Sequence, residues 1–508
     1  MADTAPTQPA RVLIIGAGYA GAVCAAELAA AAAADDAAAA NRGGAGGAPA
    51  PAPAPLLSVT LVDPRDHLDS AFTHARALVE PAVAGPALLP LASMSALPPE
   101  RVRRVRASVA SLGEREARLS DGTAAPFDFC VVAAGSSYAF GKSAAATGRR
   151  ERLAEIGAAS ELFCPPASGG GGGGLRVLVI GGGPLGVEAA AELLTDAPAV
   201  ARVTLVHGSG RLMPSLPPRA GALAKAWLES EARGAGRCRL ALGRRVRAGD
   251  PVLLAADAAM RGAASAARLP AAALEAGLRV VGGVVVAPPG GAAAALEPRE
   301  GAGGGGGGGG ASAQGGADAD AVPYDLAIVA TGILRNTSFL KGGPFAAALV
   351  PGTGAVRVDA SLRVAGASNV FAAGDCTDVP EEKLAFLASS HGELVARNVV
   401  ALAKARRAAA AAAAPAAAPL PPPPPPPPPA LGVWRPSMGL AVCIVTLGRG
   451  YAIMCVGPVA TAGWLPTKLK AANLLGFVNK YRRRLGVKEQ EEEEEGGGGR
   501  GGGGEGGK

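Results

Sequence analysis

Two stretches of the chain share one hydrophobic grammar. Leu175–Ile180 is a short apolar, β-branched run interrupted only by Arg176, the pattern of a strand buried on both faces. It enters Gly181, Gly183 and Gly186 at G-x-G-x-x-G spacing, and a helix-forming stretch, Val187–Leu194, follows. Val12–Glu27 repeats the sentence: an apolar run, then Gly16, Gly18 and Gly21 with Ala17, Tyr19 and Ala20 between them, then a helix start. Each copy leads to a second strand, Ser58–Asp63 in one and Arg202–His207 in the other. In such a unit one glycine makes the tight turn, one lets backbone approach a pyrophosphate, and one lets helix pack on strand. The phosphates sit on free N–H groups at the positive end of the helix dipole. A single motif is weak in a chain with 74 glycines, but two copies, each followed by a second strand, predict two bound dinucleotides.

The remaining pattern is read in order. Val12–Ile15 is the first strand and Gly21–Ala34 the first helix, and Asn41–Pro55 is a Gly/Pro linker that displaces the second strand. Asp63 ends that strand, where a carboxylate would bond ribose hydroxyls. His67–Glu80 carries Asp69, His74 and Arg76, and the fork of Arg76 fits phosphate oxygens. Val102–Leu119 reads as strands with polar faces. Phe127–Gly135 and Tyr324–Gly332 share one form: an aromatic residue, Asp, an apolar run, a small residue and Gly. Such strand–turn units, ending at Gly135 and at Thr331-Gly332, let backbone approach a flat ligand. Glu151–Ser160 and Arg219–Arg233 read as helices, Arg239–Val286 as strand-rich, and Gly301–Gly316 as a disordered hairpin tip. His207 stands where Asp63 stands in the first copy. No carboxylate selects a free 2′-hydroxyl there, so NADPH is expected to be tolerated as well as NADH, with Arg211 assisting.

A third signal is Ser368–Asp378, a strand running into Gly374-Asp375, with a helix from about Lys383 to Ala405. Asp375 would accept a bond from a ribityl hydroxyl or ligate through water. The last block, Leu431–Val487, has strands at Gly439–Thr446 and Tyr451–Val456. Its Trp464–Leu485 segment interleaves large apolar residues with Lys and Arg. It reads either as a surface-seeking amphipathic segment or as a helix packed on the body with a solvated basic face.

Composition trims this picture. Ala29–Pro55, Gly169–Gly174, Gly301–Gly316, Ala403–Ala430 and Glu489–Lys508 are low in complexity. Roughly 400 residues remain, enough for two nucleotide domains and a small third one. The formal charge is +7 although the tail is acidic, so the body is basic and can attract anionic cofactors or a membrane surface. Its basic residues are scattered and aromatics are scarce, which argues against nucleic acid. The seven cysteines form neither C-x-x-C nor C-x4-C, so no metal site and no redox dithiol of the usual spacing is expected. The odd count fits a reducing compartment. The eleven residues before Val12 are too few for a signal or transit peptide, and Ala2 excludes N-myristoylation. No apolar run outside the Ala tracts reaches about 18 residues, so no membrane span is expected. The location expected is cytoplasmic, or peripheral on a membrane or lipid droplet.

Both glycine motifs, Asp63, the Val-Ala-Ala-Gly135 strand, Glu188, Val-Ala-Thr-Gly332 and Asn-Val-Phe-Ala-Ala-Gly-Asp375 occur in this order. The chain thereby resembles the FAD-dependent pyridine nucleotide–disulfide oxidoreductase superfamily. More narrowly it is similar to the apoptosis-inducing-factor-like, mitochondrion-associated group that includes ferroptosis suppressor protein. Arg76 thirteen residues past Asp63, the strand-end His207 and the ending Phe477–Gly486 carry the narrower likeness. The resemblance implies an α/β fold of two Rossmann-like three-layer domains, the second inserted in the first, plus a small α+β C-terminal domain. The boundaries implied are 11–140 and 331–405 for FAD, 141–330 for NAD(P) and 431–487 for the C-terminal domain. The insert 29–57 and tail 488–508 would be disordered, and 406–430 would be a linker.

By the same resemblance, FAD would contact Gly16–Gly21, Asp63, Arg76, the backbone near Ala107, Gly135, Gly374 and Asp375. NADH or NADPH would lie over Gly181, Gly183 and Gly186, with His207, Thr331 and Gly332 nearby. Glu188 would orient the nicotinamide, Lys383 would stand by the flavin, and Lys468 or Lys470 would match a lysine of the C-terminal domain. The implied activity is two-electron transfer from NAD(P)H through flavin to a quinone. Rivals are a flavin reductase acting on a carrier protein such as ferredoxin, and a low-turnover nucleotide-binding signalling protein. Where the family has Ala-Thr-Gly, this chain has Ala133-Ala134-Gly135 and lacks that hydroxyl. The motifs leave the oligomeric state open.

Overall fold

Both apolar runs become inner strands of parallel sheets. In a computed structural model, the first sheet begins with β1 (Ala10–Ile15), β2 (Leu57–Val62), β3 (Val102–Val105) and β4 (Phe129–Val132). The second is built from β5 (Leu175–Ile180), β6 (Val200–His207), β7 (Cys238–Leu242), β8 (Arg279–Val281), β9 (Val284–Val286) and β10 (Leu326–Val329). The chain then returns to the first sheet with β11 (Val370–Ala372), which pairs parallel to β4. The first sheet has the order β11-β4-β1-β2-β3, all parallel. The second has the order β7-β6-β5-β10-β9-β8, with the β9 and β8 edge antiparallel. β1 and β5 are buried on both sides, which is why neither alternates in polarity. The structure describes residues 8–42, 54–140, 146–166, 174–230, 236–261, 269–299, 321–412, 429–436, 442–471 and 474–487. The expected disorder at Gly301–Gly316 and 488–508 lies outside these residues.

Helices cover the sheets: α1 (Tyr19–Arg42), α2 (Arg149–Phe163), α3 (Pro184–Asp196), α4 (Pro218–Glu229) and α5 (Ala385–Ala412). Two of them outrun the expectation. α1 continues to Arg42, through the first half of the insert expected to be disordered, and α5 continues past Ala405. Alanine has the highest helix propensity, and the two helices pack along each other. Ala29 and Ala32 are buried there, Asp35 pairs with Arg407 at 2.8 Å, and Asp36 pairs with Arg101 at 2.8 Å. At their crossing a Cβ on Gly392 would overlap the Ala20 carbonyl.

A second correction concerns Arg239–Val286, expected to be strand-rich. It contains helices at Pro251–Met260 and Ala271–Glu275. Asp250 caps the first, accepting from Val252 N at 3.1 Å, and Pro251 begins it.

The C-terminal block is a meander of β12 (Val442–Thr446), β13 (Ala452–Val456) and β14 (Val459–Gly463), followed by α6 (Trp464–Ala471) and α7 (Leu474–Leu485). β14 was not expected; Gly457, at φ +56°, turns the chain into it. The meander buries Val445, Ile453 and Cys455 in the same core as Val187 and Leu193 of α3. α7 buries Val478, Tyr481 and Leu485 in the core of the first sheet, with Tyr481 edge-on to Tyr19 at 4.8 Å. The two helices of Trp464–Leu485 differ. α7 is packed on the body, whereas α6 leaves Trp464 69% exposed, with Leu465 and Leu469 also exposed.

Gly392→Ala is expected to lower unfolding stability by about 1–3 kcal/mol, because the added methyl forces α1 and α5 apart. Gly157→Ala, on α2 where a Cβ meets nothing within 4 Å, is the control and is expected to raise stability by about 0.5–1 kcal/mol. Urea unfolding of the pair checks both signs.

Candidate active site

The two glycine turns are built alike. Gly16 has φ +103° and Gly181 φ +112°, and a Cβ on either would overlap a carbonyl of the neighbouring strand end, Ala133 or Ala330. A Cβ on Gly21 or Gly186 would overlap the carbonyl of Gly16 or Gly181, where each helix packs on its turn. Gly18 and Gly183 differ: a Cβ there meets nothing within 4 Å. Protein backbone thus demands two glycines of each motif, while the middle one opens toward space at a helix start. That space is where amide donors and helix dipole favour a phosphate.

Both helix starts reach one cavity of about 290 Å³. Gly18, Tyr19 and Ala20 line it from the first turn, and Pro184, Leu185 and Glu188 from the second. Gly135, at φ +62°, Gly374 and Asp375 form another part of its wall. Asp375 Oδ2 accepts from Ser136 Oγ at 2.7 Å. Burial pushes the Tyr138 phenol up, and the charge of Asp375 adds to the shift. Lys383 donates from Nζ to the carbonyls of Val379 at 2.9 Å and Thr377 at 3.3 Å. Burial lowers its pKa, and Asp375 and Glu381 work against that. Glu188 is 8% exposed, and its Oε1 accepts from Thr446 N at 2.9 Å and Thr446 Oγ1 at 3.1 Å. The carboxylate of the second domain is therefore aimed by the C-terminal sheet.

Other expected residues fall around the cleft or away from it. Asp63 accepts from Ala17 N at 2.6 Å and Arg65 N at 2.7 Å. It lines a separate cavity of about 180 Å³ together with Arg65, Arg104 and Arg106. Ala107 is buried in the core beside the end of β3. Thr331 and Gly332 are exposed past the end of β10. Arg76, expected against a pyrophosphate, instead spans the domains: its guanidinium lies 2.9 Å from Glu192 and 3.1 Å from Asp196 of α3. Three carboxylates gather there, counting Glu80. Lys468 is exposed on α6, 5.4 Å over the Trp464 ring, and is not among the residues lining the cleft. The Lys470 side chain lies outside the described residues. Arg211 donates to the carbonyls of Leu216 at 3.0 Å and Met213 at 3.4 Å, so it does not extend toward the end of β6. Arg299 stands there instead, its Cδ 3.2 Å from where a Gly208 Cβ would lie. Burial, then the Arg299 charge, lowers the pKa of His207.

Motif reading missed Phe72, Tyr138 and Cys443, apolar or weakly polar side chains that line the cleft without belonging to a motif. It also missed that Cys443 and Cys455, twelve positions apart, face each other across the β12–β13 register. All seven cysteines are thiols.

A family model described as pyridine nucleotide-disulphide oxidoreductase matches residues 10–232 and 303–404, well over half of the chain. Over 85 residues the chain is 41% identical to ferroptosis suppressor protein 1 of Homo sapiens, which covers 17% of this chain and 22% of that protein. The chain thus spans about a fifth of the length of the curated relatives it matches. Its fold is similar to that of sulfide:quinone oxidoreductase from Aquifex aeolicus, with TM-score 0.58 and 14% identity over 94% of this chain and 91% of that one. It is also similar to NDH2 from Plasmodium falciparum, solved in complex with NADH, with TM-score 0.57 and 10% identity over 94% and 97% of the two chains. At these identities the likeness is one of fold.

One wall of the cleft makes a pH prediction. Asp69 is buried, 2.8 Å from His74 Nε2 and 3.3 Å from Arg152 Nε. Burial alone would push its carboxyl up; His74, Arg152 and Arg65 outweigh that and hold it far below the usual range. The unfolded chain takes up a proton there near pH ~3.9, while the folded chain resists it. The stability is therefore present above that pH and lost as pH falls below it. Asp69→Asn is expected to cost about 3 kcal/mol at pH 7. It should also flatten the loss of stability between about pH 5 and 2, read by urea unfolding across that range.

Proposed function

The chain belongs to the pyridine nucleotide-disulphide oxidoreductase family, and from that premise we propose that it is an FAD-dependent NAD(P)H oxidoreductase that passes two electrons to a quinone-type acceptor. The observation that carries this reading is the meeting of both glycine-turn helix starts at a single cleft. Gly16–Gly21, Asp63, Gly135 and Asp375 would hold FAD, with the arginine-lined cavity beside Asp63 suited to its adenosine half. Gly181–Gly186 and His207 would hold NAD(P)H. When bound, FAD supplies the two-electron redox chemistry between NAD(P)H and the acceptor.

The chain's own residues would set the environment of that chemistry. Lys383 places a half-buried cation in the cleft wall, where a low dielectric strengthens its pull on developing negative charge. Glu188, fixed by Thr446, would orient the carboxamide of the nicotinamide. Asp375, fixed by Ser136, would orient a hydroxyl of the flavin side chain. Tyr19, Phe72, Tyr138 and Phe140 exclude water from the same space.

A quinone acceptor is supported by the likeness in fold to a protein named sulfide:quinone oxidoreductase. The exposed Val459, Trp464, Leu465 and Leu469, with basic Lys468 beside them, would suit contact with a membrane surface from which an apolar acceptor arrives. No described helix is long and apolar enough to cross a membrane. A second reading is favoured by Cys443, which lines the cleft, lying opposite Cys455: a disulfide between them would accept the two electrons, and the resulting dithiol would reduce a disulfide substrate while reforming the bond.

The purified chain is expected to be yellow and to bleach within seconds of NADH addition under anaerobic conditions, then to turn over a short-chain quinone. Lys383→Met is expected to slow turnover by about a hundredfold. Cys443→Ser should keep the quinone rate; loss of that rate, with disulfide reductase activity in the parent, would move the assignment to the dithiol. Both coenzymes should serve, with Arg299 favouring the 2′-phosphate. Arg299→Glu is expected to shift the NADPH to NADH ratio of kcat/KM by about tenfold toward NADH.

A further inference from the structure

One buried contact chain near the cleft plays no part in that reading. The amide of Gly374, the residue before Asp375, donates to His391 Nδ1 at 3.1 Å. A ring nitrogen that accepts carries no hydrogen, so the hydrogen of His391 resides on Nε2. Nε2 stands 2.8 Å from Glu381 Oε1, in a contact bent off the ideal hydrogen-bond line. The other carboxylate oxygen, Oε2, accepts from Trp434 Nε1 at 3.1 Å, and the indole meets the imidazole edge-on at 4.4 Å. The His391 and Glu381 side chains are 1% and 7% exposed, so water does not substitute for these partners.

Trp434 belongs to the segment 429–436 that follows the Ala/Pro tract. Asn398 of α5 ties this segment down, accepting from Gly432 N at 2.8 Å and donating to Gly432 O at 3.1 Å. The Trp434 amide donates to Ala360 O at 2.6 Å. The segment thus reaches, through Glu381 and His391, the positive-φ turn at Gly374 that aims Asp375 at Ser136.

We propose that Glu381 and His391, with Trp434 as the second donor on Glu381, are a positioning pair that fixes the Gly374–Asp375 turn for FAD by locking the imidazole in its Nε2–H form. The proposal rests on the cleft holding FAD. Its logic is that the carboxylate offers an acceptor oxygen to each of the two donors, whereas an amide puts an oxygen on one side and a donating NH2 on the other. In Glu381→Gln the amide oxygen can serve His391 or Trp434. Its NH2 then confronts the other donor, or else the ring must shift its hydrogen to Nδ1 and confront the Gly374 amide. Removing the indole donor with Trp434→Phe relieves that conflict in the glutamine background.

The full-length chain, stripped of flavin, has four histidines, and ring ¹⁵N spectra assigned with His391→Asn read the tautomer directly. The parent should show His391 hydrogen on Nε2. Glu381→Gln should mix or invert it and weaken FAD binding, titrated by flavin fluorescence, by about tenfold. Trp434→Phe alone should change FAD binding by less than about threefold. The double variant should restore both the single tautomer and most of the affinity. A parent ring protonated on Nδ1 overturns the proposal, as does a double variant no better than Glu381→Gln. A parent that takes up no FAD refutes the proposed function, while the tautomer measurement still decides the relay.

Discussion

The structure depends on one steric fact used twice: backbone must touch backbone where each first strand turns into its helix. Gly16 lies against the carbonyl of Ala133, and Gly181 against that of Ala330. Neither position has room for a Cβ. Each contact seats a helix start at the end of its sheet, with the free amides facing outward. Because the contacts join β1 to β4 and β5 to β10, they also fix the floor on which any ligand would lie. A side chain at either place would push the helix away from the strand ends and close the space the middle glycine leaves open.

The second organising element is the C-terminal block, which touches both sheets. β12 holds Glu188 of the second domain through Thr446, and α7 packs on Tyr19 and Phe72 of the first. Arg449 in the β12–β13 turn approaches Glu80 at 3.2 Å and Asp196 at 3.5 Å, beside the Arg76 pairs. Two cations and three carboxylates thus meet where the first domain, the second domain and the C-terminal sheet converge. The Arg76–Glu192 pair is the buried one of this cluster; such a pair adds little net stability but is costly to break singly, so it fixes relative placement more than it strengthens the fold.

What the sequence made legible was local. The glycine turns, their second strands and the Gly374-Asp375 ending are short patterns whose geometry follows from a few adjacent residues. Asp63 could be placed at a strand end for the same reason. The full lengths of α1 and α5 were obscured because alanine tracts look alike in linkers and helices; it is packing of one on the other that decides. The helix at Pro251–Met260 had a usable signal, Asp250-Pro251, that the apolar neighbours masked. The partners of Arg76 and Arg211 were not legible because an arginine's partner is chosen by tertiary charge, here three carboxylates and a row of carbonyls. His391, Glu381 and Trp434 are scattered in the chain and meet only in space. The opposition of Cys443 and Cys455 is set by hairpin register, which cysteine spacing rules do not describe.

The return of the chain to its first sheet has a consequence for synthesis. β4 has β1 on one side, and its other side waits for β11, which includes residue 372. On the ribosome the whole second domain, β5 through β10, emerges and can close its own sheet before that partner strand exists. The nascent N-terminal half therefore carries an open apolar strand edge throughout the making of its neighbour, a condition that invites pairing with other chains. The nested order makes maturation of the earlier-made domain conditional on the later one, so its holdase demand should peak in mid-translation rather than at release.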